Sequence, residues 1–417
     1  MEGSESIRGA ELTVPSIAIV AGEASGDVSA AALADELRRL RPDISLWGAG
    51  GPRMREAGIE LVADFALAGS IGIVQSLKQV PRLLFEYKKL KKEFIARRPD
   101  IFVPIDFGAF NVRLGKFVRE QGISTVYYFP PGSWRRRPRD HSNLLAASDR
   151  IITPFPWSAE ILTNAGADAV FLGHPLLDIV QPQKSREQFF DMIFASDCLL
   201  PKPPDSFTCG NGADSKLIGL LPGSRTHEIA NILPAFIDAC ELINEQVPSI
   251  SVFMIAAGSD RAVKQINGII ARKLKNKSKI KFRIVQGQTY DVMAHSELLL
   301  TCSGTATLEA MILGTPMIIV YRGSKLMKLE YLLRKAILEQ FIGMPNIIAG
   351  KQVCKELLAD DASPEAIAEH AISYLQNPVE LEKIKQNLNA AKQILGGPGG
   401  TARAAKIVLE TAGIPSF

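Results

Sequence analysis

The sequence predicts an α/β protein with two doubly wound domains, and three observations support this prediction. Short apolar segments alternate with amphipathic helical segments along most of the chain, as in parallel sheets joined by crossover helices. A stretch rich in proline and glycine interrupts this alternation between about Asp178 and Ser215. The chain has 417 residues, and single cores rarely grow beyond roughly 250–300 residues. We therefore expect domains at residues 1–180 and 216–417, joined by a linker loop at 181–215.

Apolar segments define the predicted strands. In the first domain they are Ser16–Ala21, Ser45–Trp47, Ile101–Ile105, Ser124–Tyr128, Arg150–Thr153 and Ala169–Leu172, with helices at Val28–Leu40 and Val112–Gln121. In the second domain they are Lys216–Leu221, Ser251–Ala257, Lys281–Val285, Glu297–Thr301 and Met317–Tyr321, with helices near Glu228–Ile243 and at Thr305–Leu313. Helical periodicity over 365–375, 379–395 and 401–412 predicts a helical cap at the carboxyl end, over one or both sheets.

Composition and charge restrict the class of protein. The chain is 47% hydrophobic and 22% charged with a net charge of +4, which is typical of a globular protein and too weakly basic to favour nucleic acid. The five cysteines form no CxxC pair, so neither a disulfide framework nor a zinc site is predicted, and a reducing compartment fits best. The polar, acidic start is unlike a signal peptide, and no apolar run approaches 18 residues. We expect a cytoplasmic protein with at most peripheral membrane contact.

Positive charge is concentrated in two segments. Within residues 71–98, lysines and arginines are interleaved with apolar residues at near-helical spacing. Such a segment could lie among lipid headgroups, with its cations near anionic lipid, or it could pack on the core with a solvated face. The second segment, Arg135–Arg139, could contact an acceptor phosphate or a lipid headgroup through Arg135, or could be a solvated loop.

Asp106 is the first candidate catalytic residue. It follows the apolar run Ile101–Ile105 and precedes the turn Phe107-Gly108-Ala109. Because ligands of open α/β sheets bind at the carboxyl ends of the strands, a short acid at this point is a candidate general base. Asp is also a common turn former and helix N-cap, so a structural role stays open.

The first strand-to-helix turn, Ala21–Asp27, is a candidate site for a phosphorylated group. Its small residues, including Ser25 and Gly26, let backbone amides approach a ligand, and helix N-termini attract anions. A turn of small residues has little structural need for an acidic side chain such as that of Glu23. The alternative is a plain tight turn in which Ser25 or Asp27 caps the helix.

A second glycine-containing turn, Gly48–Met54, follows the next strand and carries Arg53. Its proline suits the first turn of a helix. This segment could form another wall of the same crevice or be a structural turn.

Two turns of the second domain are candidate nucleotide-binding loops. In the first, Gly223-Ser224-Arg225 leaves a strand, and the arginine fork suits a diphosphate. In the second, Ser303-Gly304-Thr305-Ala306 opens a helix whose amides could bind phosphate, and Glu309 one turn later could accept from ribose hydroxyls. Solvated surface residues are the alternative for Arg225 and Glu309.

The chain resembles the lipid-A-disaccharide synthase family of bacterial glycosyltransferases over nearly its whole length. The motifs that carry this resemblance are Ala21-Gly22-Glu23-Ala24-Ser25-Gly26-Asp27, Gly51-Pro52-Arg53-Met54, Phe171-Leu172-Gly173-His174-Pro175-Leu176, Leu221-Pro222-Gly223-Ser224-Arg225, Ser303-Gly304-Thr305-Ala306-Thr307-Leu308-Glu309 and Pro345-Asn346-Ile347-Ile348-Ala349-Gly350. The resemblance implies a glycosyltransferase-B fold, with two Rossmann-like domains facing a cleft. It also implies an inverting enzyme that joins UDP-2,3-diacylglucosamine to 2,3-diacylglucosamine 1-phosphate and releases UDP without a metal or another cofactor.

The resemblance also implies roles for individual residues. Asp106 matches the family's catalytic acid, and Glu23 matches the acid of the first loop. On the UDP side, matches are found at Arg225, Glu309 and Asn346.

Several positions depart from the family pattern on the acceptor side. Asp106-Phe107-Gly108-Ala109-Phe110-Asn111 stands where the family has Asp-Ala-Pro-Asp-Phe-Asn, so the second acid is absent. Other departures are Gln75 for Glu and the segments 132–137 and 154–157. Alternatives therefore remain: a UDP-sugar 2-epimerase, a transferase with another lipid-linked acceptor, or a non-catalytic protein that binds UDP-sugar or lipid.

Overall fold

In the computed structural model the described residues are 14–22, 24–65, 73–132, 140–195, 216–274, 280, 282–322 and 340–415. They form two compact units. The first contains the described residues up to Pro175 and those from Gly397 onwards, and the second contains those between Leu176 and Gly396.

The first unit is a seven-stranded parallel sheet in the order β3-β2-β1-β4-β5-β6-β7. Its strands are β1 Ser16–Ala21, β2 Ser45–Gly50, β3 Glu60–Asp64, β4 Ile101–Ile105, β5 Ser124–Tyr128, β6 Arg150–Thr153 and β7 Ala169–Phe171. Its helices are α1 Ala24–Leu40, α2 Pro52–Glu56, α3 Ile73–Arg97, α4 Gly108–Glu120, α5 Ser142–Leu145, α6 Pro156–Asn164 and, from the end of the chain, α16 Gly400–Thr411.

Helices cover both faces of this sheet. On one face, α1 and α16 pack against Ile17, Val103 and Val126. On the other, α3 and α4 pack through Phe94 and Leu114. The central strands β1 and β4 are therefore buried on both sides, which explains why they read as unbroken apolar runs.

The second unit is a six-stranded parallel sheet in the order β10-β9-β8-β11-β12-β13. Its strands are β8 Lys216–Leu221, β9 Ile250–Ala257, β10 Phe282–Gln286, β11 Leu298–Cys302, β12 Met317–Tyr321 and β13 Lys355–Leu358. Its helices are α7 Leu176–Ile179, α8 Arg186–Ala195, α9 Thr226–Gln246, α10 Asp260–Leu274, α11 Thr289–His295, α12 Thr305–Leu313, α13 Met344–Ala349, α14 Pro364–Gln376 and α15 Pro378–Gln393.

The predicted pair of doubly wound sheets and the terminal helices are both present, but the last helix differs in its placement. The prediction assigned residues 216–417 to the second domain, whereas α16 packs against α1 of the first unit. It also assigned residues 181–215 to a linker loop, whereas α8 within that segment is a helix of the second unit. The guanidinium of Arg403 on α16 also donates twice to the carbonyl of Leu172, at 3.0 and 2.7 Å. A contact between residues 231 apart in sequence leaves no local signal.

No helix within the described ranges is both long and apolar enough to cross a membrane.

Candidate active site

The predicted site residues follow the strands at which each sheet changes direction. In the first unit the chain runs outward from β1 to β3 and returns to β4 on the other side of β1. In the second unit the same reversal lies between β8 and β11. Ligands of open α/β sheets bind at the carboxyl ends of strands flanking such a reversal. Asp106 follows β4, Arg225 follows β8, and Ser303 follows β11.

The turn that carries Asp106 has an unusual backbone. Asp106, Phe107 and Gly108 have φ angles of 43°, 58° and 46°. Left-handed backbone costs an L-residue roughly 1–2 kcal/mol; glycine avoids this cost, and Asn and Asp tolerate the conformation better than other residues. Two consecutive non-glycine residues in this region are a local strain that the surrounding contacts must hold in place.

Phe107 joins this turn to the first strand-to-helix turn. A Cβ atom placed on Gly22 would lie 2.0 Å from the Phe107 ring, so the ring occupies the space that only glycine leaves. Phe107 also packs against Phe65 and Phe110, with ring centroids 5.2 and 4.9 Å away. The residue that stands where the family has alanine is thus accommodated by an aromatic cluster and by Gly22.

In the first strand-to-helix turn, Asp27 does not cap the helix that follows, which was one of the two predicted alternatives. Helix α1 begins at Ala24, so Asp27 lies in its first turn and does not precede it. The buried Asp27 carboxylate instead accepts hydrogen bonds from the backbone N–H groups of Gly51, Arg53 and Met54, at 2.8, 3.0 and 3.1 Å. It thereby caps α2 and fixes the second glycine turn beside the first.

The other predicted acceptor-side residues of the first unit differ in their exposure to solvent. Ser25 is exposed and Gly26 is buried within α1. The Arg53 guanidinium is 65% exposed and pairs with Glu56 at 3.1 Å. Glu23 and Arg135 lie outside the described residues, as do Ser133–Arg137.

His174, from the predicted motif after β7, is a further titratable group of this unit. It is buried, stacks on Phe129 with ring centroids 5.8 Å apart, and lies tilted against Phe155 with ring centroids 5.6 Å apart. Burial lowers the pKa of His174 to about 3. The ring is therefore neutral near neutral pH and adds no positive charge to this unit.

In the second unit, the loop after β8 is held by Glu228. The Glu228 carboxylate accepts from the backbone N–H groups of Ser224 and Arg225 at 3.0 and 3.1 Å, and it pairs with the Arg225 guanidinium at 3.3 Å. Gly223 has a φ of 112°, and a Cβ there would lie 2.5 Å from Glu228. Because Glu228 occupies these amides, the loop offers an anion the Arg225 side chain, which is 38% exposed.

The loop after β11 offers backbone amides instead. Gly304 and Thr305 are exposed, and Thr305 and Ala306 begin α12, where no preceding turn supplies carbonyl partners. The Ser303 hydroxyl donates to the carbonyl of Ile342 at 2.8 Å and so ties this loop to the segment before α13. The arrangement suits a phosphate at the start of α12.

Glu309 lies one turn further along α12. Its Oε1 accepts a hydrogen bond from the Tyr290 hydroxyl at 3.1 Å. Burial raises the pKa of Glu309, and the Tyr290 hydrogen bond partly offsets this. Tyr290, which the sequence analysis did not single out, therefore orients the carboxylate that was predicted to meet ribose.

Asn346 differs from its predicted role as a ligand contact. Its side chain is fully buried. The amide nitrogen donates to the Cys354 carbonyl and to Glu356, at 2.8 and 2.7 Å, while the oxygen accepts from the Val353 and Cys354 N–H groups. These contacts use the hydrogen-bonding capacity of the amide. Asn346 therefore anchors the loop after α13, with Glu356 accepting from Ile342 and Gly343 on the other side.

Within the described ranges no group of three or more His, Cys, Asp or Glu side chains is placed to hold a metal ion.

Fold and site together define a glycosyltransferase-B protein, since both units are doubly wound parallel sheets with acid, arginine and amide groups at the points of reversal. Structures with this fold include the MnaA–UDP complex of S. aureus (TM-score 0.63, 11% identity, covering 96% of this chain and 98% of that one). MurG of Acinetobacter baumannii has a TM-score of 0.54 at 13% identity, covering 95% and 99%. Identities this low show the fold alone.

The sequence comparisons show the family. A family model described as lipid-A-disaccharide synthetase matches residues 17–407. The lipid-A-disaccharide synthase of Geobacter sulfurreducens is 35% identical over 404 residues, covering 97% of this chain and 99% of that protein. The synthase of Xanthomonas campestris pv. campestris is 32% identical over 410 residues, covering 97% and 88%. The chain belongs to the lipid-A-disaccharide synthetase family and is a UDP-sugar-dependent hexosyltransferase.

Proposed function

We propose that this chain joins UDP-2,3-diacylglucosamine to 2,3-diacylglucosamine 1-phosphate, with Asp106 as the general base. The acceptor hydroxyl attacks the anomeric carbon and gives its proton to the Asp106 carboxylate. A new carbon–oxygen bond forms as the bond from the anomeric carbon to the UDP oxygen breaks, and the electron pair leaves with UDP. The observation that carries this proposal is the family match over residues 17–407, with the acid placed after β4.

We assign the UDP-binding role to the second unit. Arg225 presents an accessible guanidinium to the diphosphate, and the start of α12 presents amides. Both would stabilise the negative charge that grows on departing UDP. Glu309, held by Tyr290, accepts from ribose hydroxyls. Asn346 contributes through the loops it anchors and not by direct contact.

The acceptor side is where this chain departs from the family pattern. Ala109 stands in place of the second acid, so Asp106 acts without an acidic neighbour in this turn. Pro156 begins α6, a position for which proline is suited because the first helical N–H needs no intrahelical partner. Ser25, Gly26 and Arg53 lie around the first-unit turns and are our candidates for the acceptor phosphate side, together with Glu23 and Arg135.

Product analysis tests the proposed reaction. We expect the purified chain, given both acylated substrates without added metal, to produce UDP and the disaccharide 1-phosphate in equal amounts by mass spectrometry. A 2-epimer without disaccharide would instead identify an epimerase. UDP-sugar binding without UDP release would identify a binding protein, and UDP release with only a different acceptor would redirect the acceptor assignment.

We also propose that α3 rests on an anionic membrane surface, on the cytoplasmic face of the inner membrane. One side of this helix packs on the sheet through Leu90 and Phe94. The other exposes Leu84, Phe85 and Ile95, at 52%, 66% and 57%, beside the exposed lysines Lys88, Lys89 and Lys92. Apolar side chains flanked by cations are what a headgroup region attracts. The enzyme would then bind its acylated substrates at the membrane surface that contains them.

The double variant Leu84→Glu, Phe85→Glu tests this contact. We expect the fraction of protein that floats with phosphatidylethanolamine–phosphatidylglycerol vesicles to fall about tenfold or more. Full burial of one large apolar side chain contributes roughly 1.5–3 kcal/mol, and the variant loses this contribution at two positions. Val379→Glu is the matched control, because Val379 is 79% exposed on the other unit. Wild-type flotation by the double variant would contradict the proposal.

A further inference from the structure

We propose that Asn111 and Tyr127 are positioning residues that hold the backbone carbonyl of Asp106 and so fix the direction of its carboxylate. This inference rests on the proposed role of Asp106 as the base. Neither residue touches the reacting atoms in this proposal. Both act through the left-handed turn that follows β4.

The Asp106 carbonyl accepts two hydrogen bonds from different elements. The Tyr127 hydroxyl, from β5, donates to it at 2.8 Å. The Asn111 side-chain nitrogen, from α4, donates to it at 3.3 Å. Side chains from a neighbouring strand and from the following helix therefore converge on one carbonyl oxygen and restrain the orientation of its peptide group.

Asn111 also ties this peptide to the sheet. The same side-chain nitrogen lies within hydrogen-bond distance of the carbonyls of Val20 and Ile105, at 3.0 and 3.1 Å, near the ends of β1 and β4. Its two N–H groups are therefore shared among three carbonyl oxygens, and the contact with Asp106 is the longest of the three. One amide thus joins the carboxyl-terminal ends of both strands at the reversal point to the turn that carries Asp106.

Burying the Asn111 side chain costs folding free energy that its contacts must offset. The side chain is fully buried, and its oxygen has no hydrogen-bond partner among the described residues. A buried acceptor without a partner is destabilising, and an apolar residue of similar size would avoid that cost. The contacts made by the nitrogen are therefore the reason to have an asparagine at this position.

Tyr127 is suited to act as a permanent donor. It is fully buried in the sheet. Burial, and then the charge of Asp106, raises the pKa of Tyr127 well above its usual range. The hydroxyl keeps its proton at any pH where the enzyme works, so its hydrogen bond to the Asp106 carbonyl persists.

The backbone of this turn explains why such a clamp is needed. Asp106 and Phe107 both have left-handed φ angles, at 43° and 58°. Without fixed partners, the Asp106 peptide would rotate toward the right-handed or extended regions that L-residues prefer. Because Cβ is attached to this backbone, the rotation would swing the carboxylate away from the acceptor hydroxyl, and a displacement of about 1 Å can cost roughly 10²-fold in rate.

Two variants test the clamp. We expect Tyr127→Phe to lower kcat about tenfold and Asn111→Leu to lower it about 10²-fold. The KM for the UDP-sugar and the calorimetric Kd for UDP should stay within about twofold, since the second unit is untouched. Tyr128→Phe is the matched control, because it removes a buried hydroxyl from the same strand on the opposite face of the sheet. Thermal unfolding of each variant confirms that it is folded.

A double-mutant cycle separates positioning from general destabilisation. If Tyr127 acts through Asp106, then Tyr127→Phe should cost little in the Asp106→Asn background, because the base is already absent. An equal loss in both backgrounds, or an unchanged kcat in both single variants, would overturn the clamp. Wild-type activity of Asp106→Asn alone would instead overturn the proposed base, so the two failures are distinguishable.

Discussion

Replacing Asp106 by asparagine should lower kcat by about 10²–10⁴-fold, the range contributed by a positioned general base. The change removes the proton acceptor while preserving size. It should also preserve the backbone, because asparagine tolerates the left-handed conformation that Asp106 adopts at φ 43° better than most residues. We therefore expect a folded protein that binds UDP normally and has a much reduced rate, measured by disaccharide formation under saturating substrates.

The matched control for this experiment is Asp168→Asn. Asp168 belongs to the same unit, is 58% exposed and pairs at 3.2 Å with Arg150, whose side chain is 30% exposed. An exposed ion pair is worth roughly 0–1 kcal/mol in stability, so this variant should retain full activity. An Asp106→Asn protein as fast as the control would remove Asp106 from the chemistry and shift attention to Glu23.

Much of the fold is predictable from sequence because the central strands are buried on both faces. β1, β4, β8 and β11 read as continuous apolar runs, and their predicted positions match the structure to within one residue. The edge strands β3 and β13 were not predicted. Their segments, Glu60–Asp64 and Lys355–Leu358, carry charged residues at their ends, as edge strands often do.

The candidate site is predictable to the level of loops, not of contacts. Strand-to-helix turns with glycine or acid predict where a ligand would bind, and this pattern singles out Asp106 and Arg225 as candidates. The residues that shape these turns act across long sequence separations. Asp27 reaches Gly51, 24 residues away, and Asn111 reaches Val20, 91 residues away. Such pairs leave no periodic signal in a single sequence.

Asn346 shows that a motif can identify a residue without revealing how the residue acts. The family motif places this asparagine among the nucleotide-side residues, yet in the structure its amide is enclosed by the Cys354 backbone and Glu356. A motif shows that a residue type is required at a position. It does not distinguish direct contact from support of the loop that makes the contact, and only the hydrogen-bond partners resolve the two.

Arg225→Ala should produce the second large effect, on nucleotide affinity. Hydrogen bonds to charged groups contribute roughly 1.5–3 kcal/mol each, so losing the guanidinium should raise the Kd for UDP about 10- to 100-fold by calorimetry. The loop itself should persist, because Glu228 holds the Ser224 and Arg225 amides independently of the side chain. kcat should fall as well, since the same cation would stabilise charge on the leaving UDP.

Two further variants make the Arg225 experiment specific. Arg225→Lys keeps the charge but not the planar fork, so its affinity for UDP should lie between those of the wild type and Arg225→Ala. Arg272→Ala is the matched control, because Arg272 lies in the last turn of α10 and bonds within its own helix to Gly268, at 3.0 Å. If Arg225→Ala bound UDP as tightly as Arg272→Ala does, the diphosphate would have to be held by the start of α12 alone. The Arg225–Glu228 ion pair would then have no role in UDP binding.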